Sequence, residues 1–291
     1  LGKWLNLVSA GIRFATFTRK RISNTARFFH TTLIFNTFAS KRNQIEYQVS
    51  LRFEMDINLQ IAEITRPYLL QNSFLLTDLP EVDLERLHKS VKTEHKKRGE
   101  ILFRQGAFPK GAYWLISGKA KIFQETPSGQ RQTLYVYSDG DLAGYRQIIT
   151  EEVYAVSFAL LEDSVVGFIS NETFRALLQH SSFFARNVVA ALAREFTVWM
   201  NRMTAFAQFP VRRRLVFALL ILHEQYRRSG GPSGFVTITR TELAEYVGTS
   251  LETVVRALNV LKSENLVRIN GRCIHLPDLN GLMHILQQES V

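Results

Sequence analysis

The stretch from Thr239 to Leu276 constrains the fold of this chain more than any other. Thr239 stands three residues before Glu242, the spacing of a capping box in which a hydroxyl and a carboxylate satisfy orphan amides at a helix start. Leu243, Ala244 and Val247 then repeat at helical spacing, and Gly248 permits a tight turn. Thr249 and Glu252 repeat the capping-box spacing. The helix they open points Leu251, Val254, Val255, Leu258 and Leu261 inward and leaves Glu252, Thr253, Arg256, Asn259 and Lys262 outward. After Asn265 the period turns from helical to alternating. Val267 to Ile269 and Arg272 to Leu276 flank Asn270-Gly271, a strong short hairpin signal.

Two short helices, a turn glycine and a hairpin in this order read as a winged helix-turn-helix, whose second helix would meet the major groove of DNA. A small helical domain that binds protein could share the geometry. The coincidence of two caps, a glycine and a wing favours DNA.

The chain has 291 residues, 46% of them hydrophobic, enough for about two domains. A single cysteine, Cys273, excludes an intramolecular disulfide framework, a four-cysteine zinc site and an iron–sulfur cluster on the chain's own thiolates. A reducing cytoplasm is the consistent compartment. The net charge of +10 is unevenly placed, because residues 1–54 hold nine Lys/Arg and two Asp/Glu and so carry +7 of it. That segment begins at Leu1, has no acidic residue before Glu46 and shows no lasting period. Met55 is the first methionine. Residues 1–54 are expected to be an upstream reading-frame extension or a disordered arm outside the working protein. A presequence or a basic arm on DNA or membrane stays as the alternative. The uncharged run between Arg27 and Lys41 is 13 residues long and polar, too short to span a bilayer.

From Asn58 to about Val91 the pattern is helical. From Lys92 to Ser170 a glycine recurs every several residues between short alternating runs such as Tyr113 to Ile116, Ala120 to Phe123 and Leu134 to Tyr137, which argues for a jelly-roll-like barrel. The segments Arg98-Gly99-Glu100-Ile101-Leu102-Phe103-Arg104-Gln105-Gly106, Tyr113 to Lys121 and Ser138-Asp139-Gly140-Asp141-Leu142-Ala143-Gly144 are similar to the cyclic-nucleotide-binding β-roll. With the winged helix behind them, the chain resembles the Crp/Fnr family of bacterial transcription regulators from about Leu69 to Leu286. The resemblance implies an α+β fold with an N-terminal cyclic-nucleotide-binding-like β-roll (jelly roll), a long dimerisation helix and a C-terminal winged helix-turn-helix. The corresponding segments are 1–54, an extension; 55–182, the sensor domain; 183–209, the dimerisation helix; and 210–291, the DNA-binding domain.

In that family a glutamate after the last glycine of the Gly-Asp motif holds the ribose of cyclic AMP, and an Arg-Ser pair holds its phosphate. Here Tyr145 follows Gly144, and the Arg-Ser register falls on Tyr154-Ala155, so both pocket charges are missing. A lost charge-assisted bond costs about 1.5–3 kcal/mol, and Glu151-Glu152 would oppose an anion. Arg146 could substitute, although a loop arginine is more often solvated. Cyclic AMP is therefore not the expected ligand. Haem is not expected either, since no histidine or cysteine lies between His95 and Ser170. The pocket either takes a less anionic molecule through Tyr145 and Tyr154 or is filled by its own side chains, and filling is favoured.

From Phe183 to Phe209, Val189, Leu192, Phe196, Trp199, Met203 and Phe206 repeat at alternating three- and four-residue steps, the seam of a two-stranded coiled coil. A helix buried on its own domain would read similarly, but the family dimerises here. Phe209-Pro210 breaks the helix and marks a hinge. Arg212-Arg213-Arg214 follow; they cannot all face one way, and either touch phosphate or form ion pairs. By resemblance, Arg256 would donate to guanine and Glu252 accept from cytosine N4. Val255 either meets a thymine methyl or packs. Glu252 has a rival role in the capping box. Thr241, Ser250, Lys262 and Arg212 are expected on the DNA backbone, where contacts position without specifying. Double-stranded DNA, a second copy of the chain and, for an activator, RNA polymerase are the partners, with no membrane. A regulatory module that binds protein and not DNA is the competing function. No hydrolase elbow, zinc-protease motif or phosphate-binding loop is present, which argues against an enzyme.

Overall fold

The computed structural model describes residues 55–288 apart from Asp78, so the expectation for residues 1–54 lies outside the described residues. From Asn58 onward these residues form one compact unit. A helix over residues 55–65 (α1) runs into a 3-10 turn at Arg66–Tyr68, a short α2 (Phe74–Thr77) and α3 (Glu81–Ser90).

Eight strands follow: β1 (Lys92–Lys96), β2 (Ile101–Phe103), β3 (Gly111–Ser117), β4 (Ala120–Glu125), β5 (Arg131–Tyr137), β6 (Leu142–Ala143), β7 (Ser157–Leu160) and β8 (Ser164–Ser170). They form two four-stranded antiparallel sheets, ordered β1-β8-β3-β6 and β2-β7-β4-β5. The crossing order is that of a jelly roll, as the glycine-spaced sequence implies. Phe103, Leu115, Ile122, Tyr137, Phe158 and Val166 belong to one buried core. A second core joins Leu75, Leu87, Leu142, Ile169 and Phe174 to Phe184 and Ala191. Burying a side chain of this size contributes about 1.5–3 kcal/mol. A short α4 (Tyr145–Thr150) sits between β6 and β7.

Ser170 caps α5 (Asn171–His180), and Ser181 caps α6 (Ser182–Gln208), each accepting from an amide in the first turn of its helix. α6 starts one residue before and ends one residue before the expected span of Phe183 to Phe209. Phe209, preceding Pro210, is extended at ψ 137, where the proline ring forces it. Pro210 then opens α7 (Val211–Arg228), whose centre from Leu215 to Gln225 is wholly buried.

The last module contains β9 (Phe235–Thr237), α8 (Arg240–Val247), α9 (Leu251–Ser263), β10 (Arg268–Asn270), β11 (Cys273–His275) and α10 (Leu279–Gln287). The Thr239–Glu242 capping box is complete, and Gly248 ends α8 at φ +71, a conformation that favours glycine. The second capping box is not formed as expected. Ser250, not Thr249, caps α9, with Thr253 N–H donating to its hydroxyl at 3.1 Å. The buried face is also narrower than expected: Val254, Leu258 and Leu261 are buried, while Leu251, in the first turn, is 47% and Val255, at the edge of the face, 38% exposed. The wing turns at Gly271-Arg272, because Asn270 still pairs with Cys273, and β9 adds a third strand beside β11 that the sequence did not reveal.

Candidate nucleic-acid interface and ligand pocket

The exposed side of α9 carries Glu252 and Arg256 one turn apart. Arg256 Nη2 lies 3.3 Å from Glu252 Oε1, and both side chains are mostly in solvent. With Ser250 as the cap, Glu252 is freed from the capping role. Val255 lies beside this pair, and Lys262 is exposed near the end of the helix. Such an exposed Glu–Arg pair adds little to stability. Its groups are those that match base edges in the major groove.

The expected backbone contacts divide. Ser250 Oγ is 2.8 Å from Thr253 Oγ1 and serves the cap, yet remains exposed. Thr241 is exposed and, with Ser250, lines a cleft of about 780 Å³ against Gln130 and Arg131 of the β4–β5 hairpin. Arg212 donates from Nη2 to Glu264 at 2.5 Å, the ion-pair outcome. Its neighbours diverge, as three consecutive arginines must: Arg213 lies 4.2 Å over Phe209, and Arg214 Nη1 donates to Gly248 O at 3.4 Å. Residues 211–288 hold ten Lys/Arg against six Asp/Glu, a surplus of four positive charges that suits a polyanion.

The pocket region of the roll is occupied by its own side chains. Tyr154 is buried, stacks on Phe103 at 3.9 Å and donates its hydroxyl to Gly111 O at 3.0 Å. Gly144, at φ +81, leaves room for that ring, since a Cβ there would stand 3.3 Å from the Tyr154 oxygen. Ala155 is exposed, so the two residues in the Arg-Ser register point apart. Tyr145 is buried and donates to Glu195 Oε1 of α6 at 2.7 Å, and Asn72 Nδ2 donates to the same oxygen at 3.0 Å. Burial first, and the Glu195 charge second, hold the Tyr145 hydroxyl well above its usual range, so it remains a donor. Arg146 is not a solvated loop arginine. It lies in α4, partly exposed, with Nε 3.8 Å from Glu195 Oε2. Asp141 accepts from the Asn72 and Ser138 amides, and burial pushes its carboxyl up to about 7. Asn72 and Glu195 carry no sequence signal of their own, and only their burial marks them, whereas Asp141 stands in the Gly-Asp segment that carries the resemblance.

The seam residues of α6 separate by face. Phe184, Val188, Ala191 and Val198 are buried in the cores of the roll region. On the other side Val189 is 67%, Phe196 62%, Trp199 42% and Met203 52% exposed. Leu192 and Phe206 sit between the two faces, half-buried.

Among the described residues no helix is long and apolar enough to cross a membrane, and no group of His, Cys, Asp and Glu is arranged to hold a metal ion.

Comparison with known proteins gives the same two modules. The family model of the cyclic nucleotide-binding domain matches residues 93–181, and that of the Crp-like helix-turn-helix domain matches residues 213–285. The cyclic AMP receptor protein of Thermus thermophilus is 31% identical over 172 residues, spanning 59% of this chain and 77% of that protein. The transcriptional regulatory protein btr of Bordetella pertussis is 28% identical over 215 residues, spanning 73% and 88%. In fold, the chain is similar to a putative transcriptional regulator of the Crp/Fnr family from Eubacterium rectale, with a TM-score of 0.62 at 21% identity over 75% of this chain and 100% of that one. These matches agree with the roll, the long helix and the winged helix-turn-helix, and the chain belongs to the Crp/Fnr family of transcription regulators, DNA-binding proteins and not enzymes.

Proposed function

We propose that this regulator works as a homodimer, joined along the exposed side of α6, that reads a palindromic DNA site without cyclic AMP. The observation that carries dimerisation is the row Val189, Phe196, Trp199 and Met203, whose exposure is unusual for a lone chain. A symmetric pairing along it would present two α9 helices to successive major grooves about 34 Å apart. Within each half-site, Arg256 donates to guanine, Glu252 accepts from cytosine, and Val255 meets a thymine methyl. Thr241, Ser250 and Lys262 reach phosphate, and Arg212 joins them only by leaving Glu264.

The sensor spans 55–182, the dimerisation helix 183–209 and the DNA-binding domain 210–291, and the protein acts in the cytoplasm. RNA polymerase is its partner when it activates. The independence from cyclic AMP is supported by Tyr145 and Tyr154, which are buried and hydrogen-bonded where ligand contacts would fall, and by Arg146, whose guanidinium faces Glu195. Selection from randomised duplexes tests the reading. Enrichment of a two-fold symmetric site is expected; enrichment of single, unpaired half-sites would oppose it.

A further inference from the structure

The long helix α6 buries two ionisable side chains seven residues apart, hence on one face: Glu195 and Arg202. They grip different modules. Glu195 accepts from Tyr145 and Asn72 of the roll region. Arg202 donates from Nη1 to the Tyr246 hydroxyl of α8 at 2.6 Å, and to Tyr68 O at 3.4 Å. Its guanidinium also lies 4.6 Å over the Tyr246 ring, 5.3 Å over Phe206 and 5.5 Å over Tyr135 of β5. Among the described residues no carboxylate forms an ion pair with it.

A buried cation without a counter-ion is a poor way to add stability, because a hydrophobic side chain of similar volume avoids its desolvation. What the arginine supplies is direction. It has a hydrogen bond to one atom of the helix-turn-helix and three aromatic rings within reach, while Glu195 two turns away fixes the same helix on the roll. Tyr246 lies in the helix that Gly248 joins to α9, so a shift of α8 carries the recognition helix with it.

We infer that Arg202 is a positioning residue for DNA reading, and that with Glu195 it sets the separation between the two recognition helices of the dimer. The inference rests on the dimeric reading proposed above. Its signature is the tolerated spacing between half-sites, not the affinity of one half-site.

The test uses the full chain in fluorescence-anisotropy titrations. The duplexes carry the selected half-sites at the selected spacing, at one base pair more and at one fewer, alongside a duplex with a single half-site. The wild type should favour one spacing by about tenfold or more. Tyr246→Phe, which removes one oxygen atom, and Arg202→Met should reduce that preference to about threefold or less, with single half-site affinity within about twofold of the wild type. Arg202→Lys, which retains one donor for the Tyr246 hydroxyl, should restore part of it. If Arg202→Met does not fold, Tyr246→Phe decides alone. An unchanged spacing preference in Tyr246→Phe, or a loss of half-site affinity equal to the loss at the full site, would overturn the inference. A wild type that binds both half-sites independently at every spacing would instead remove the dimeric reading beneath it.

Discussion

Arg256 and Glu252 illustrate how closely one residue's role depends on where its helix starts. Because Ser250 takes the cap, Glu252→Gln should leave thermal stability nearly unchanged and alter the preferred base at one position. Arg256→Ala should cost about 1–3 kcal/mol at one base pair per half-site, measured by competition between matched and substituted duplexes. A uniform loss across all sequences would reassign Arg256 to phosphate. His223 makes a different prediction. It is fully buried in α7, neither ring nitrogen has a hydrogen-bond partner among the described residues, and burial lowers its pKa to about 4 against an unfolded value near 6.5. The unfolded chain thus takes up a proton that the folded chain refuses, so stability from this group is present above pH 6.5 and is lost as pH falls towards 4. His223→Leu should flatten that part of the pH profile in denaturant titrations and raise stability at pH 5, since it also removes two unpartnered polar atoms. An unaltered profile would contradict the assignment.

At the scale of elements, the sequence disclosed whatever repeats. The turn glycines gave the roll, the three- and four-residue steps gave α6, and the Thr239–Glu242 spacing gave the start of α8. It misplaced what depends on one residue of register. Thr249 and Ser250 are both good caps, and only the backbone chooses between them; that choice decided whether Glu252 serves the cap. The partners Asn72 and Glu195 were illegible because a carboxylate in an amphipathic helix reads as solvated until a buried tyrosine is found facing it. Arg202 was hidden for the same reason. Two measurements belong to this scale. Gly248→Ala should destabilise the chain by about 1 kcal/mol or more, because an alanine is strained at φ +71 and its Cβ would stand 2.8 Å from Gln132 Oε1. Phe196→Glu on the exposed side of α6 should give a folded monomer by sedimentation and abolish tight binding to the palindrome; a folded dimer would place the interface elsewhere.

Across the whole molecule, the DNA-binding module is fastened to the roll by polar contacts. Arg98 Nη2 meets Glu242 Oε1 at 2.7 Å, Lys121 pairs with Glu245, and Gln225 Nε2 donates to Val136 O at 2.6 Å. Both acidic residues of α8 therefore face the roll and not a nucleic acid. The same helix that joins the modules buries its Glu195 against Tyr145. This chain is proposed to read paired half-sites with its pocket already filled. The most direct test is the affinity of the purified, ligand-stripped protein for the selected palindrome, measured by anisotropy with and without cyclic AMP. Tight binding that cyclic AMP leaves unchanged is expected; binding that appears only when cyclic AMP is added would overturn this reading.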